Sequence, residues 1–521
     1  MKKWLGISAL LLAPAAFGQT ISKPVHVANC SATNSPTFSN PGKIATMVCP
    51  LPEPALSGNA VIVGVTASGT LAAPTDDKGD TFTQLGSTST DATNVVHNAL
   101  WCSMVTAGAQ VITFNSSGST NNNNSGFAAE FNDVTNCTMD VGTSHVTTGV
   151  ASGAQTLTGG SATPTASGDL IIEYMTLDTA TNGACTAGSN TSITWNLGGE
   201  NTFQYSCWQW GQYNSTSALN PNFNAQVPAS SSAYNAIWAS LKTSSTGTAI
   251  GTGLHAISWF HQNSPNPASV TATLKFPVYG NTHVILHSVA SSCYWTGITS
   301  SPALTWTLLG STIQGPQYSG IWYAKNDTSP SSAMTISPTT LGGCNGTSNN
   351  IYTAAMIDLV NGATNPIDTG WGTSGYCATS GNPTSGGGNI TGPTCTPSFA
   401  NEVILLVESN AADSSTGFPT PSGNVFMQDY YTCQASGCTG GNNGPNGYTV
   451  PTLADENDGW AIFEPGSTLT AQTWTMSHDT STNTNLGNWS MSLGAFIPQL
   501  TASPGSQVNG GVQITGGVSI Q

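Results

Sequence analysis

An internal repeat constrains this chain more than any other feature. The segment from Asp169 to Thr176, DLIIEYMT, returns as EVILLVES between Glu402 and Ser409. Each copy starts with an acidic residue after a polar loop and then runs apolar, as is typical of a strand buried on both faces. We therefore predict that one β-rich unit occurs twice in the chain.

The repeat extends over most of the chain, because further segments match in the same order. The matching pairs are 55–69 with 277–291, 79–90 with 303–314, 99–108 with 320–329, 126–136 with 352–362 and 234–243 with 488–497. Short alternating or apolar runs lie between clusters of Gly, Asn, Ser and Pro, a pattern typical of antiparallel strands. The sequence thus predicts an all-β fold of two tandem antiparallel β-sandwich domains, jelly-roll or immunoglobulin-like, with long disulfide-stapled loops.

The boundaries follow from composition and from the repeat. Lys2 and Lys3 precede a short apolar run, which predicts a secretory signal peptide. The stretch between the copies is rich in Ser, Thr and Gly, as flexible linkers are. The predicted units are residues 1–18 as signal peptide, 19–243 as the first β-sandwich domain, 244–253 as linker, 254–500 as the second β-sandwich domain and 501–521 as a C-terminal tail or edge strand.

The low charge limits the classes of partner. Charged residues form 6% of the chain, against about 25% in ordinary soluble domains. The net charge is −16, and the few basic residues cannot form a basic patch. Binding to nucleic acid or to an anionic membrane surface is therefore not expected. No later stretch approaches the ~20 apolar residues of a membrane span.

Twelve cysteines in a predicted exported chain indicate disulfides. They divide evenly between the two copies, and we favour sequential pairing within each copy, although other connectivities stay open. The cysteines are Cys30, Cys49, Cys102, Cys137, Cys185 and Cys207 in the first copy, and Cys293, Cys344, Cys377, Cys395, Cys433 and Cys438 in the second.

Several of these segments together resemble a known family. An acidic turn at 77–83 precedes a strand with Leu100 and Trp101, and AAEF at 128–131 and LIIEY at 170–174 follow. They resemble a β-sandwich module that recurs in secreted and surface proteins of bacteria and in some phage proteins. The second copy lacks the acidic turn. The resemblance implies a β-sandwich in an exported protein and no particular chemical activity.

Two acidic residues are the candidates for catalysis. Glu130 and Glu173 lie in buried-type strands, and the second copy has Met356 and Leu406 in their places. A carboxyl pair of this kind serves glycoside hydrolases as acid and nucleophile. Motifs of serine hydrolases, zinc proteases and nucleotide-binding enzymes are absent from the sequence. A non-catalytic protein is therefore the favoured interpretation.

Tryptophans are the favoured candidates for ligand binding. Trp208 and Trp210 share the strand face opposite Cys207, which would place them away from the disulfide. If exposed, they would form a platform on which sugar rings stack; the alternative is that a long loop covers them. Trp371 and Tyr376 are a second candidate pair.

Two acidic clusters suit calcium, which prefers oxygen ligands. They comprise Asp76, Asp77 and Asp80 in the predicted turn, and Asp455, Glu456 and Asp458 in an insertion of the second copy. The first cluster is explained by the turn itself, so calcium is predicted at the second. No other cofactor is predicted.

Histidines offer a weaker metal candidate. His283 and His287 lie in a predicted strand, which would separate them by about 13 Å at ~3.3 Å per residue. They cannot bind one metal ion together in that conformation. A site across strands with His255 or His261 stays open.

These observations favour a secreted or cell-surface protein that is non-catalytic and acts in adhesion or glycan binding. Its partner would be an extracellular glycan or another component of the cell surface. The alternatives are a secreted glycan-active enzyme and a structural subunit that assembles through the C-terminal edge.

Overall fold

A computed structural model gives the structure of the chain. The described residues are 24–33, 46–67, 69–91, 96–106, 108–117, 123–177, 185–201, 206–227, 232–244, 253–264, 274–276, 278, 280–290, 294–315, 317–328, 334–342, 350–360, 362–381, 390–399, 402–410, 425–428, 440–442, 449–451, 457–463, 471–476 and 488–498. The predicted signal peptide, nearly all of the predicted linker and the predicted C-terminal tail lie outside these residues.

Strands form all the regular secondary structure of the described residues, which contain no helix. The repeated apolar runs are strands, and two of them, Ala60–Ala67 and Asp169–Leu177, are buried over their whole length. Apolar runs without alternation have this environment when both faces of a sheet are covered. The all-β prediction is confirmed.

The first half contains β1 (Val27–Thr33), β2 (Thr46–Pro50), β3 (Ala60–Ala67), β4 (Thr70–Asp76), β5 (Thr83–Gln84), β6 (Ser89–Thr90), β7 (His97–Met104), β8 (Val111–Ser117), β9 (Asn123–Phe131), β10 (Val134–Val150), β11 (Gly153–Thr158), β12 (Asp169–Leu177), β13 (Cys185–Thr186), β14 (Asn196–Asn201), β15 (Ser206–Tyr213), β16 (Asn222–Val227) and β17 (Ser232–Thr243).

The second half contains β18 (Gly253–Ser264), β19 (Leu274–Phe276), β20 (Thr282–Ala290), β21 (Tyr294–Ser301), β22 (Thr307–Gln314), β23 (Gln317–Lys325), β24 (Met334–Gly342), β25 (Asn350–Val360), β26 (Gly362–Ile367), β27 (Tyr376–Gly381), β28 (Ile390–Cys395), β29 (Val403–Asn410), β30 (Val425–Gln428), β31 (Gly440–Asn442), β32 (Thr449–Pro451), β33 (Asn457–Phe463), β34 (Gln472–Met476) and β35 (Trp489–Pro498).

One eleven-stranded sheet, the central sheet, runs through both halves. Its order is β22-β23-β20-β25-β18-β1-β9-β3-β7-β5, and β6 also pairs with β7. β1 and β18 join the halves and run parallel, with Val27 opposite Ala256. The sequence predicts two tandem domains and does not indicate that they share a sheet.

In the first half, sheets cover both faces of the central sheet. The β2-β8-β4 sheet lies on one face, where Val61 and Val63 pack with Ile112. The five-stranded sheet β10-β17-β12-β15-β14 lies on the other face, where Ile62 packs with Ile172. The β11-β16-β13 sheet covers the outer face of the five-stranded sheet. The first half is thus a stack of four sheets.

The second half repeats this stack. The β19-β24-β21 sheet covers one face of the central sheet and the six-stranded sheet around β35 and β29 covers the other, with the β28-β34 pair outside it. The six-stranded sheet and the β2-β8-β4 sheet contribute to one core on the same face of the central sheet, through residues such as Leu405 and Ile112. Corresponding sheets therefore lie on opposite faces of the central sheet, as a half-turn about an axis along β1 and β18 would place them.

Four disulfides lie within the described residues. They join Cys30 to Cys49, Cys102 to Cys137, Cys185 to Cys207 and Cys377 to Cys395. All four follow the sequential pairing favoured from the sequence. The other four cysteines, Cys293, Cys344, Cys433 and Cys438, lie outside the described residues.

In the part of the chain that the structure describes, no helix is long and apolar enough to cross a membrane.

Candidate functional site

The predicted tryptophan platform is wrong, because Trp208 and Trp210 are buried. Their exposed fractions are 1% and 4%. Trp208 stacks on Phe127 of the central sheet, with ring centroids 4.1 Å apart, and its Nε1 donates a hydrogen bond to Asn29 Oδ1 at 2.7 Å. The two tryptophans do face away from the Cys185–Cys207 disulfide, but that face packs on the central sheet. They stabilise the core between two sheets.

The second aromatic pair does not form a platform either. Trp371 is fully buried beside the Cys377–Cys395 disulfide. Tyr376 is partly buried, its ring lies against Gly310, and its hydroxyl is hydrogen-bonded to Ser492 Oγ at 2.7 Å. Burial raises the pKa of Tyr376 well above its usual range. Both side chains contribute to packing.

Glu130 on β9 is a buried partner of a histidine. Its Oε2 lies 2.5 Å from His26 Nδ1, and its Oε1 accepts hydrogen bonds from Leu56 N at 2.8 Å and from Asn59 Nδ2 at 2.5 Å. Burial alone would lower the pKa of His26, but hydrogen bonds and charges of Glu130 and Glu53 outweigh it and raise that pKa to about 9. Glu130 therefore forms a buried ion pair with His26.

Glu173 on β12 is buried without a counter-charge that the structure describes. Gln209 Nε2 donates a hydrogen bond to its Oε2 at 2.5 Å, and its Oε1 has no hydrogen-bond partner among the described residues. Burial raises the pKa of Glu173 to about 8, although the bond from Gln209 lowers it. The carboxyl group is thus largely protonated at neutral pH.

Glu130 and Glu173 cannot act as a catalytic pair, so that hypothesis is wrong. Phe131 and Ile172, their respective neighbours in the strands, face each other in one core between the central and five-stranded sheets. Since successive side chains alternate between faces, the two carboxyl groups point away from this core in opposite directions. Glycoside hydrolysis needs both groups about 5–10 Å apart at one cleft.

Two of the candidate histidines, His283 and His287, lie in an ion pair and in a packing contact, respectively. His283 is buried between two acids, with Nδ1 2.9 Å from Asp358 Oδ1 and Nε2 3.0 Å from Asp327 Oδ2. His287 lies in the same strand as His283, β20, and its ring stacks on that of Trp295. The described residues contain no group of three or more His, Cys, Asp or Glu side chains placed to hold a metal ion. The predicted calcium ligands Asp455 and Glu456 lie outside the described residues, and Asp458 is placed only as a member of β33.

An open polar cavity beside the acidic turn is the candidate functional site. We name it the Asp80 groove; its volume is about 410 Å³. It is lined by Gly79, Asp80, Thr81, Thr83, Cys102, Ser103, Met104, Thr106 and Cys137. β5 and β7 supply one wall, since Thr83 pairs with Cys102, and the Cys102–Cys137 disulfide ties that wall to β10.

The sequence of the turn explains why Asp80 faces this groove. Asp76 Oδ1 accepts hydrogen bonds from the N–H groups of Lys78 and Asp80, at 3.0 and 2.9 Å. Gly79 has φ of 79°, a conformation that favours glycine. Asp80 Oδ1 then accepts a hydrogen bond from Thr106 Oγ1 at 2.6 Å. The turn and the end of β7 are thereby held together.

Sequence analysis identified the acidic turn but missed the groove. Thr81 and Thr83 lie beside the turn in sequence, whereas Thr106 and Cys137 reach it only through the folded sheet. The sequential pairing of Cys102 with Cys137 was the one signal that brought these distant segments together.

Comparison with protein-family models, with curated proteins and with solved structures finds no match.

Proposed function

We propose that the protein works outside the cell or at the cell surface, without catalysing a reaction, and that it binds a neutral glycan in the Asp80 groove. The observation that carries the proposal is the lining of the groove: threonine and serine hydroxyl groups and one carboxylate beside a thioether and a disulfide. This lining contains no basic side chain.

The chemistry of the lining suits a sugar. Hydroxyl groups of Thr81, Thr83 and Thr106 can both donate and accept hydrogen bonds, as sugar hydroxyls do. Met104 offers an apolar, adaptable contact. A net charge of −16 opposes the approach of an anionic ligand, which favours neutral glycans.

Three features support an extracellular setting. The four described disulfides fit an oxidising compartment. The predicted signal peptide and the resemblance to an exported β-sandwich module, in two tandem copies, point the same way.

The alternatives have less support. A glycan-active enzyme built on Glu130 and Glu173 is not proposed, because the two carboxyl groups face apart. Assembly as a structural subunit relies on residues 501–521, which lie outside the described residues.

A glycan array of neutral oligosaccharides, with the Thr83→Arg variant, tests the proposal. The long arginine side chain would fill the groove, so we expect at least a tenfold loss of affinity for any bound glycan. Thr156→Arg is the matched control, since Thr156 is exposed on the β11-β16-β13 sheet. If both variants bind as the wild type does, or if no neutral glycan binds, the proposal is wrong.

A further inference from the structure

We propose that the acidic turn binds a calcium ion, and that the side chains of Asp76 and Asp80 are its protein carboxylate ligands. The site lies beside the Asp80 groove. The inference does not require glycan binding, because its observations concern the carboxyl groups of the turn, although Asp80 also lines the groove.

Asp76 supplies the main observation. It is 7% exposed, and its Oδ1 is occupied by the two N–H groups that shape the turn. Its Oδ2 is buried and accepts no hydrogen bond within the described part of the chain. The hydrogen bond from Asp80 N holds the carboxyl group of Asp76 next to residue 80.

Asp80 repeats the pattern. Its Oδ1 accepts the hydrogen bond of Thr106, while its Oδ2 is buried with no hydrogen-bond partner among the described residues. Two carboxylates of one turn therefore each direct one oxygen to a structural contact and leave one oxygen without a donor. A buried carboxylate oxygen without a donor or counter-charge is costly, and a bound cation removes that cost.

The lysine of the turn does not supply this charge. Lys78 Nζ lies 3.2 Å from Asp77 Oδ2, and Asp77 Oδ1 accepts a hydrogen bond from Gln110 N at 2.9 Å. Asp77 therefore has the Lys78 ammonium group beside Oδ2 and a main-chain N–H group on Oδ1. This contrast separates it from Asp76 and Asp80, although all three are acids of the same turn.

The donor set selects the metal. The two side chains offer only oxygen, which suits calcium and magnesium and disfavours zinc. Calcium accepts irregular geometry and takes main-chain carbonyl groups and water as further ligands, whereas magnesium needs a near-ideal octahedron. With two protein carboxylates, we expect a dissociation constant on the order of 10⁻⁴–10⁻³ M, as in extracellular modules.

Isothermal titration of the full chain with CaCl₂, after EDTA treatment and dialysis, tests the inference. We expect one binding event with that affinity, at least tenfold weaker binding of MgCl₂, and a rise in Tm of roughly 1–4 °C at saturating calcium. Absence of calcium binding to the wild-type chain would overturn the inference.

Three asparagine variants locate the site. Asp76→Asn and Asp80→Asn keep an oxygen acceptor for the hydrogen bonds of the turn, and each should weaken calcium binding at least tenfold. Asp77→Asn removes the same charge from the same turn and should bind calcium within about twofold of the wild type, because calcium affinity depends on the groups that coordinate the ion. Equal losses in all three variants would mean that only the general negative charge attracts calcium, which contradicts the inference.

Discussion

At the scale of single residues, burial separates side chains that look alike in the sequence. Glu130 and Glu173 both interrupt apolar strands, yet Glu130 has a protonated histidine beside it and Glu173 has an amide. Without a cation beside it, a buried carboxyl group such as that of Glu173 has a raised pKa. Sequence could identify both acids as unusual, but the partners come from other strands.

Glu173 makes the stability of the protein depend on pH. Its pKa is about 8 in the folded chain, against a reference value of 4.5. Between these two pH values the folded state holds a proton that the unfolded state has lost, so stability decreases as pH rises. We expect Glu173→Gln to flatten this decrease and to be more stable than the wild type by about 2–4 kcal/mol near pH 9. Urea unfolding of both proteins between about pH 5 and pH 9 measures the free energy of unfolding. If its dependence on pH is the same in Glu173→Gln as in the wild type, the prediction is wrong.

At the scale of elements, the repeat predicted the strands, but it did not predict which sheets would cover their faces. The assignment of Trp208 to the face opposite Cys207 is right, since a strand alternates, but the covering sheet belongs to a segment far away in sequence. Such coverage depends on long-range packing, which local patterns do not contain. The same limit applies to the Asp80 groove.

The acids that open the two repeated strands illustrate what a repeat can and cannot reveal. In the first half, Asp140 is close enough to Asp169 to affect its pKa, and Asp140 Oδ2 accepts a hydrogen bond from Thr165 N at 2.6 Å. In the second, Asp368 is close enough to Glu402 to affect its pKa, and Asp368 Oδ2 accepts a hydrogen bond from Ser398 N at 3.0 Å. The sequence predicted that the first acid recurs; it contained no sign that a second acid recurs beside it.

The Cys102–Cys137 disulfide links β7 to β10 and lines the groove. It closes 35 residues between β7 and β10, so the double variant Cys102→Ala, Cys137→Ala should lose about 2–4 kcal/mol of stability. Calorimetry measures the loss, and glycan binding should weaken because two lining residues change. As a control, Cys377→Ala with Cys395→Ala should lose similar stability and keep glycan affinity. Equal effects of both double variants on affinity would contradict the role of the groove.

At the scale of the whole molecule, two similar stacks of sheets form one continuous structure. The strand orders of the halves correspond, and β1 and β18 complete the central sheet by pairing in parallel. One hydrophobic core contains residues of both halves, among them Ala28 and Ile257. Sequence repeats indicate how many units a chain has, but not whether the units share a sheet, because main-chain pairing at their junction leaves little trace in side-chain patterns.

The shared sheet predicts that the two halves unfold together. Scanning calorimetry should give one transition in which the calorimetric and van't Hoff enthalpies agree. Ile257 is fully buried at the junction, so Ile257→Ala should cost about 2–5 kcal/mol and lower that single Tm by about 2–5 °C. Two independent sandwiches would instead give two transitions, and the substitution would move only one of them. A second transition that stays at its wild-type temperature in Ile257→Ala would therefore refute coupling through β1 and β18.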